Sequence, residues 1–163
     1  MEFAKSFSIA GRKVGHGQPC FIIAEAGVAH FGSIEAAFRL VDLAASARAD
    51  AVKFQIFDTD ELIGEASQEW KDRLRPKEMG LSDYAKVRDY AREKNIIFMA
   101  TAHDEKSLED LNLLEVPAYK IGSGELQNWD FVRRTASFGK PVILSTGMYT
   151  LEDIAHALEA VSE

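Results

Sequence analysis

Lys120 lies in a short apolar run, Pro117 to Ile121, bounded by turn residues and readable as a β-strand. Lysine is out of place there, because burying an ammonium without a partner costs several kcal/mol. Gly122-Ser123-Gly124 follows directly, and its glycines let the backbone come close to a ligand. A cation beside accessible N–H groups and a hydroxyl suits an anion such as phosphate or carboxylate.

The other strand-like runs end in comparable residues. Phe21 to Ala26 carries Glu25 at its end, and Ala51 to Phe57 carries Lys53 and Gln55. Asn95 to Ala100 leads into Thr101 and His103, and Val142 to Ser145 ends in Ser145-Thr146-Gly147. Side chains alternate along a strand, so Lys53 and Gln55 share one face while Val52 and Phe54 share the other. The same parity pairs Ile23 with Glu25 and Ile143 with Ser145. Polar groups therefore collect at the carboxyl ends of the strands, where α/β barrels and open α/β sheets bind their ligands.

Helical periodicity supplies the elements between the strands. Ser33 is placed to cap a helix running to Ala47, with Ile34, Ala37, Phe38, Val41 and Ala45 on one side. Leu81 to Lys94 presents Tyr84, Val87, Arg88 and Ala91, and Asp104 caps a helix reaching about Leu114. Trp129 to Phe138 stops at Gly139-Lys140-Pro141. Thr150 to Asp153 resembles a capping box, before an apolar stripe of Leu151, Ile154, Leu158 and Val161. Phe7 to Val14, with Gly11-Arg12 in the middle, reads as a leading hairpin. Asp58 to Gly80 reads as a long loop, and a loop of that length is more often functional than idle. The expected organisation is a hairpin over 1–16 and five β-α units with a parallel sheet over 17–163.

Bulk properties narrow the function. Of the 163 residues 47% are hydrophobic and 28% charged, which describes a globular chain with a real core. A net charge of −7 without basic runs argues against nucleic acid or an anionic membrane as partner. No apolar run approaches roughly 18 residues, so no membrane span is expected. The single cysteine, Cys20, rules out an internal disulfide and suits a reducing compartment, so a cytoplasmic location is expected. His16, His30 and His156 lack partners at metal-ligand spacing and are read as structural or solvated; His103, on the ligand edge, stays open. The acidic run Glu61 to Glu69 is read as a solvated face.

Several stretches in order resemble the sialic acid synthase family, which includes N-acetylneuraminate, legionaminate, pseudaminate and spore-coat sugar synthases. They are Ile22-Ile23-Ala24-Glu25-Ala26-Gly27-Val28, Ala49-Asp50-Ala51-Val52-Lys53-Phe54-Gln55, and Val116-Pro117-Ala118-Tyr119-Lys120-Ile121. Ser123-Gly124-Glu125 and Gly139-Lys140-Pro141-Val142-Ile143-Leu144-Ser145-Thr146-Gly147-Met148 complete the likeness, which runs from about Phe7 to the end. The resemblance implies a partial TIM (β/α)8 barrel, strands one to five with their helices. It also implies condensation of phosphoenolpyruvate with an open-chain N-acetylated amino sugar such as N-acetylmannosamine, with release of phosphate. By position, Lys53, Thr101, Lys120, Ser123 and Ser145 are then expected to bind the phosphate and carboxylate. Gln55 and Glu25 are expected to face the sugar, with Glu25 handling protons or water. A divalent metal, manganese or magnesium, is expected of the complete enzyme, with ligands outside this chain.

The sequence departs from the family at two loops. Asn-His-Asn-Gly becomes Ala29-His30-Phe31-Gly32, and Thr-Pro-Phe becomes Thr101-Ala102-His103, so Phe31 and His103 bear on the sugar pocket. The family's metal-binding histidines come from strands six to eight, and a C-terminal antifreeze-like domain completes its sugar pocket. Five strands do not close a barrel, so a fragment, or a half-barrel completed by another chain or by self-association, is expected, inactive alone. Two other readings stay open. One is a condensing barrel of the deoxy-octulosonate kind, whose sugar phosphate needs more arginines or lysines than these loops offer. The other is a half-barrel that binds or assembles without turnover.

Overall fold

A computed structural model describes residues 4–162. The chain divides into two compact units, one spanning Phe21–Val116 and the other joining the residues up to Cys20 with those from Pro117 onward.

The first unit is built on three parallel strands, β3 (Ile23–Gly27), β4 (Ala51–Ile56) and β5 (Ile97–Ala102), with β4 in the middle. A strand paired on both sides and covered on a face by helices should be almost wholly buried. Accordingly, every residue of β4 is buried except half-buried Gln55. Helices α1 (Ile34–Ser46) and α4 (Leu81–Glu93) turn Ala37, Val41 and Ala44, and Tyr84, Val87 and Ala91, inward. Phe54 meets Tyr84 and Phe98 ring to ring, at centroid separations of 6.4 and 5.8 Å. This is the apolar face that strand parity required, and it leaves Lys53 and Gln55 to the other. The expected caps form: Ser33 accepts from the Ala36 N–H at 3.2 Å, and Asp104 caps α5 (Glu105–Leu113) by accepting from Ser107.

Three details differ from the sequence reading. The segment Asp58 to Gly80 is not a loop but holds α2 (Thr59–Leu62), α3 (Gln68–Leu74) and a 3-10 turn (Arg75–Lys77). Asp60 ties this segment together by accepting from Lys71 at 3.0 Å and Arg75 at 2.8 Å. These two cations draw the Asp60 carboxyl down to a pKa of about 2. Strand β5 also runs two residues further than expected, so Thr101 sits within the ladder opposite Gln55. In α1 Ala44 is buried along with Ala37, while Ala45 is half-buried.

In the second unit, β1 (Ser6–Ile9) and β2 (Arg12–Gly15) form the expected antiparallel hairpin. Its turn is Ala10-Gly11, one residue earlier than the sequence suggested, with φ of 47° and 83°. Positive φ at both central residues matches the twist of a two-residue hairpin. Strands β6 (Tyr119–Ile121) and β7 (Val142–Leu144) pair in parallel, and α6 (Trp129–Ser137) and α7 (Leu151–Ser162) complete the unit. Ile121, Val132 and Ala160 form its core with Trp129, Val142 and Leu144 around them. The Thr150 capping box forms, since Thr150 Oγ1 accepts from the Asp153 N–H and Asp153 accepts in return. On α7 the buried residues are Ala157 and Ala160; of the expected stripe Ile154 and Leu158 are half-buried, while Leu151 and Val161 point out. Small side chains at 157 and 160 let α7 approach closely, and the larger ones are displaced to the flanks.

Candidate active site

At the carboxyl edge of the first unit the strand register aligns Glu25 with Lys53 and Gln55 with Thr101. Lys53 is 6% exposed, so its ammonium needs partners. It finds the Glu25 carboxylate at 2.5 Å and the Thr101 hydroxyl at 3.3 Å, which take two of its three donors. Glu25 remains half-exposed, so a buried cation is presented to the edge through a carboxylate that solvent or a ligand can reach.

Between Glu25 and the end of β3 the register slips by one residue, and Gly27 takes φ +53°. A side chain there would lie 3.8 Å from Glu25 Oε1 and 3.9 Å from the Gln55 amide. The glycine therefore leaves an open space between the two polar groups. The Gln55 amide is half-buried and makes no hydrogen bond with the described residues. Such a group waits for a ligand or water. Sequence parity foresaw the shared face of Glu25, Lys53 and Gln55 but not the part played by Gly27.

The second unit holds the other expected residues. Lys120, half-buried, donates to the Ile121 carbonyl at 2.6 Å, and the Ser145 N–H donates to the same oxygen at 3.0 Å. Ser123 opens a short 3-10 turn, and its hydroxyl lies 3.9 Å from where a Cβ on Gly147 would stand. Lys120, Ser123 and Ser145 are thus gathered at the carboxyl ends of β6 and β7, as expected. The hydroxyls of Ser123 and Ser145 make no hydrogen bond with the described residues.

His30 is structural, as the sequence suggested, and fully buried. The Gly32 N–H donates to its Nδ1 at 3.1 Å, while Nε2 lies 3.3 Å from the Tyr84 hydroxyl. Tyr84, whose pKa burial pushes up, donates its proton to the Gln55 carbonyl at 2.9 Å. The hydroxyl must therefore accept from His30, which fixes the neutral Nε2–H tautomer. This chain of bonds ties the β3–α1 turn to the backbone of Gln55. Burial alone holds the His30 pKa below its ordinary value. As pH falls below about 6.5 the unfolded chain takes up a proton that the folded one refuses, so stability is lost there and is flat above. Urea unfolding at pH 7.5 and 5.5 should show a smaller acid loss in His30→Gln than in wild type, and equal losses would contradict the lowered pKa of the buried ring.

His103 is half-buried at the end of β5, and its N–H donates to the Ile56 carbonyl at 3.2 Å. Among the described residues no three of His, Cys, Asp and Glu are grouped as a metal site. No helix among them is long and apolar enough to cross a membrane.

In each unit parallel strands end in polar groups, a buried Lys53 with Glu25, Gln55 and Thr101 in the first and Lys120 with Ser123 and Ser145 in the second, and carboxyl strand ends are where α/β folds bind ligands. Comparison with known proteins makes this specific: residues 40–163 match the NeuB family, and the chain belongs to it. It is 37% identical to the N,N'-diacetyllegionaminic acid synthase of Legionella pneumophila, over 90% of this chain and 45% of that protein. It is 35% identical to the spore coat polysaccharide biosynthesis protein SpsE of Bacillus subtilis, over 96% of this chain and 44% of that protein. The sialic acid synthetase of Leptospira borgpetersenii, solved with citrate, superposes with a TM-score of 0.92 at 34% identity, over 96% of this chain and 55% of that one. The fold is therefore the first five β-α units of a TIM-type barrel with a leading hairpin, and the chain spans about half the length of the relatives it matches.

Proposed function

We propose that this chain supplies the phosphoenolpyruvate-binding half of a synthase that joins phosphoenolpyruvate to an N-acetylated amino sugar, such as N-acetylmannosamine, for surface polysaccharide biosynthesis. The observation that carries the reading is Lys53, almost buried yet reached through a half-exposed Glu25 at the carboxyl edge of the sheet. Membership of a family whose relatives make sialic and legionaminic acids supports it. The citrate complex of the Leptospira relative, a small polyanion bound to a protein of the same fold, fits it as well.

In this reading Lys53 with Thr101, and Lys120 with Ser123 and Ser145, take the phosphate and carboxylate of phosphoenolpyruvate. Two ammonium groups offset a ligand of about three negative charges where water is partly excluded. Gln55 and Glu25 face the sugar. The methylene carbon of phosphoenolpyruvate bonds to the sugar aldehyde carbon, water adds at the neighbouring carbon, and phosphate leaves. In this reading Glu25 takes the proton of that water, and a proton is delivered to the aldehyde oxygen as it becomes a hydroxyl. Holding both reactants in line supplies much of the acceleration. The manganese or magnesium expected of the complete enzyme has no ligand set among the described residues. The reading includes completion by the remainder of a barrel, in the same polypeptide or through self-association. It also includes a cytoplasmic setting, consistent with the exposed free thiol of Cys20.

The test is phosphate release by the full-length protein given phosphoenolpyruvate and N-acetylmannosamine, with the product identified by mass. A nine-carbon keto acid formed with stoichiometric phosphate supports the reading. Phosphate release that does not depend on the sugar would overturn it.

A further inference from the structure

Strand β3 carries one residue more than β4 where it reaches the site. Glu25 pairs with Lys53 and Gly27 with Phe54, so Ala26 is the extra residue and the ladder bulges there. Bulges beside active sites re-aim the chain, and this one leaves Gly27 half-buried at φ +53°. A Cβ on Gly27 would lie 3.8 Å from Glu25 Oε1 and 3.9 Å from both Cδ and Nε2 of Gln55. These are ordinary contact distances, so a methyl would fit without a clash and would fill the space. The space is therefore open because residue 27 has no side chain.

Its two neighbours decide what it can hold. Glu25 is half-exposed and already answers Lys53, and an anion set against it would meet a like charge. The Gln55 amide makes no hydrogen bond with the described residues and can both donate and accept. A carboxylate that accepts and an amide that donates suit neutral hydroxyls, which do both. The backbone beneath Gln55 is fixed, since the Tyr84 hydroxyl donates to its carbonyl at 2.9 Å. The pair is thus set before a ligand arrives.

We propose that Gly27 is a specificity-determining residue for the acceptor, its bare Cα admitting a hydroxyl-bearing carbon of the open-chain sugar against Glu25 and Gln55. This rests on the synthase reading above and deepens it. Phosphoenolpyruvate, as the anion, keeps to Lys53 and does not enter this space.

The test is steady-state kinetics of the full-length protein with N-acetylmannosamine and phosphoenolpyruvate varied in turn, alongside thermal unfolding. In Gly27→Ala the KM for N-acetylmannosamine should rise about tenfold while the KM for phosphoenolpyruvate stays within about twofold. Asparagine tolerates positive φ, so Gly27→Asn should fold where alanine is strained, and its larger side chain should raise the acceptor KM at least as far. Gly17→Ala places the same strain, at φ +73°, where nothing lies within 4 Å, and should leave both KM values at wild type. An unchanged acceptor KM in both Gly27 variants, or equal rises in the two KM values, would overturn the proposal while leaving the synthase reading intact. Wild-type protein that neither binds phosphoenolpyruvate nor turns over the sugar would remove both.

Discussion

Lys53→Ala is expected to lower kcat/KM of the full-length protein for phosphoenolpyruvate by about a hundredfold or more, with little change in folding. The two effects separate because the partners of Lys53 differ in exposure. Removing a buried ammonium normally strands its counter-charge, at a cost of roughly 3–5 kcal/mol. Here the counter-charge is Glu25, more than half exposed, which can recover water when the lysine is lost. Thr101 loses one hydrogen bond at 3.3 Å, a loss of about 1 kcal/mol. A bound phosphate or carboxylate has no such recourse, because its charge would lie against the uncompensated Glu25 at the same edge. Lys53→Arg should also be poor, since a planar guanidinium does not fit a position that leaves the lysine 6% exposed. Steady-state kinetics with thermal unfolding checks both halves. Large destabilisation with unchanged kinetics would make Lys53 a structural residue.

Gly32→Ala should be the most damaging single-methyl addition to the β3–α1 turn. Its φ of +76° strains any L side chain, by about 1–2 kcal/mol. In addition its Cβ would meet the Pro76 oxygen at 2.6 Å and the Glu78 oxygen at 3.3 Å, both backbone atoms that cannot swing aside. Forced backbone shifts typically add 1–3 kcal/mol, so the total is about 2–5 kcal/mol. For a chain of this size that lowers Tm by on the order of 5–15 °C. Gly17 provides the control: its φ is +73° but nothing lies within 4 Å, so Gly17→Ala should show the backbone strain alone. A Gly32→Ala variant no less stable than Gly17→Ala would mean the turn is not pressed against the 3-10 segment.

What could be read from the sequence depended on whether the governing interaction was local. The parity of Lys53 and Gln55, the Ser33 and Asp104 caps and the Thr150 box are each set within a few residues of chain, and the structure contains them all. The segment after β4 was misread because its helices are short and polar, with no apolar stripe. Their order comes from Asp60 reaching Arg75 and from the Thr59 N–H donating to Glu78, contacts with no period to detect. On α7 the sequence found half-buried Ile154 and Leu158 but missed buried Ala157 and Ala160, because alanine was given less weight than leucine whereas close approach selects the small residue. At the site, residue type and position identified Glu25, Lys53, Gln55, Thr101, Lys120, Ser123 and Ser145 as a carboxyl-edge set. The space beside Gly27 depends on folded geometry and left no local mark.

Lys53 and Lys120 are proposed to serve the same small anion. Calorimetric titration of phosphoenolpyruvate into the full-length wild type, Lys53→Ala and Lys120→Ala asks this directly. Each substitution is expected to weaken binding by roughly thirtyfold or more. If both variants bound phosphoenolpyruvate as tightly as the wild type, the assignment of these two residues, and the function built on it, would be wrong.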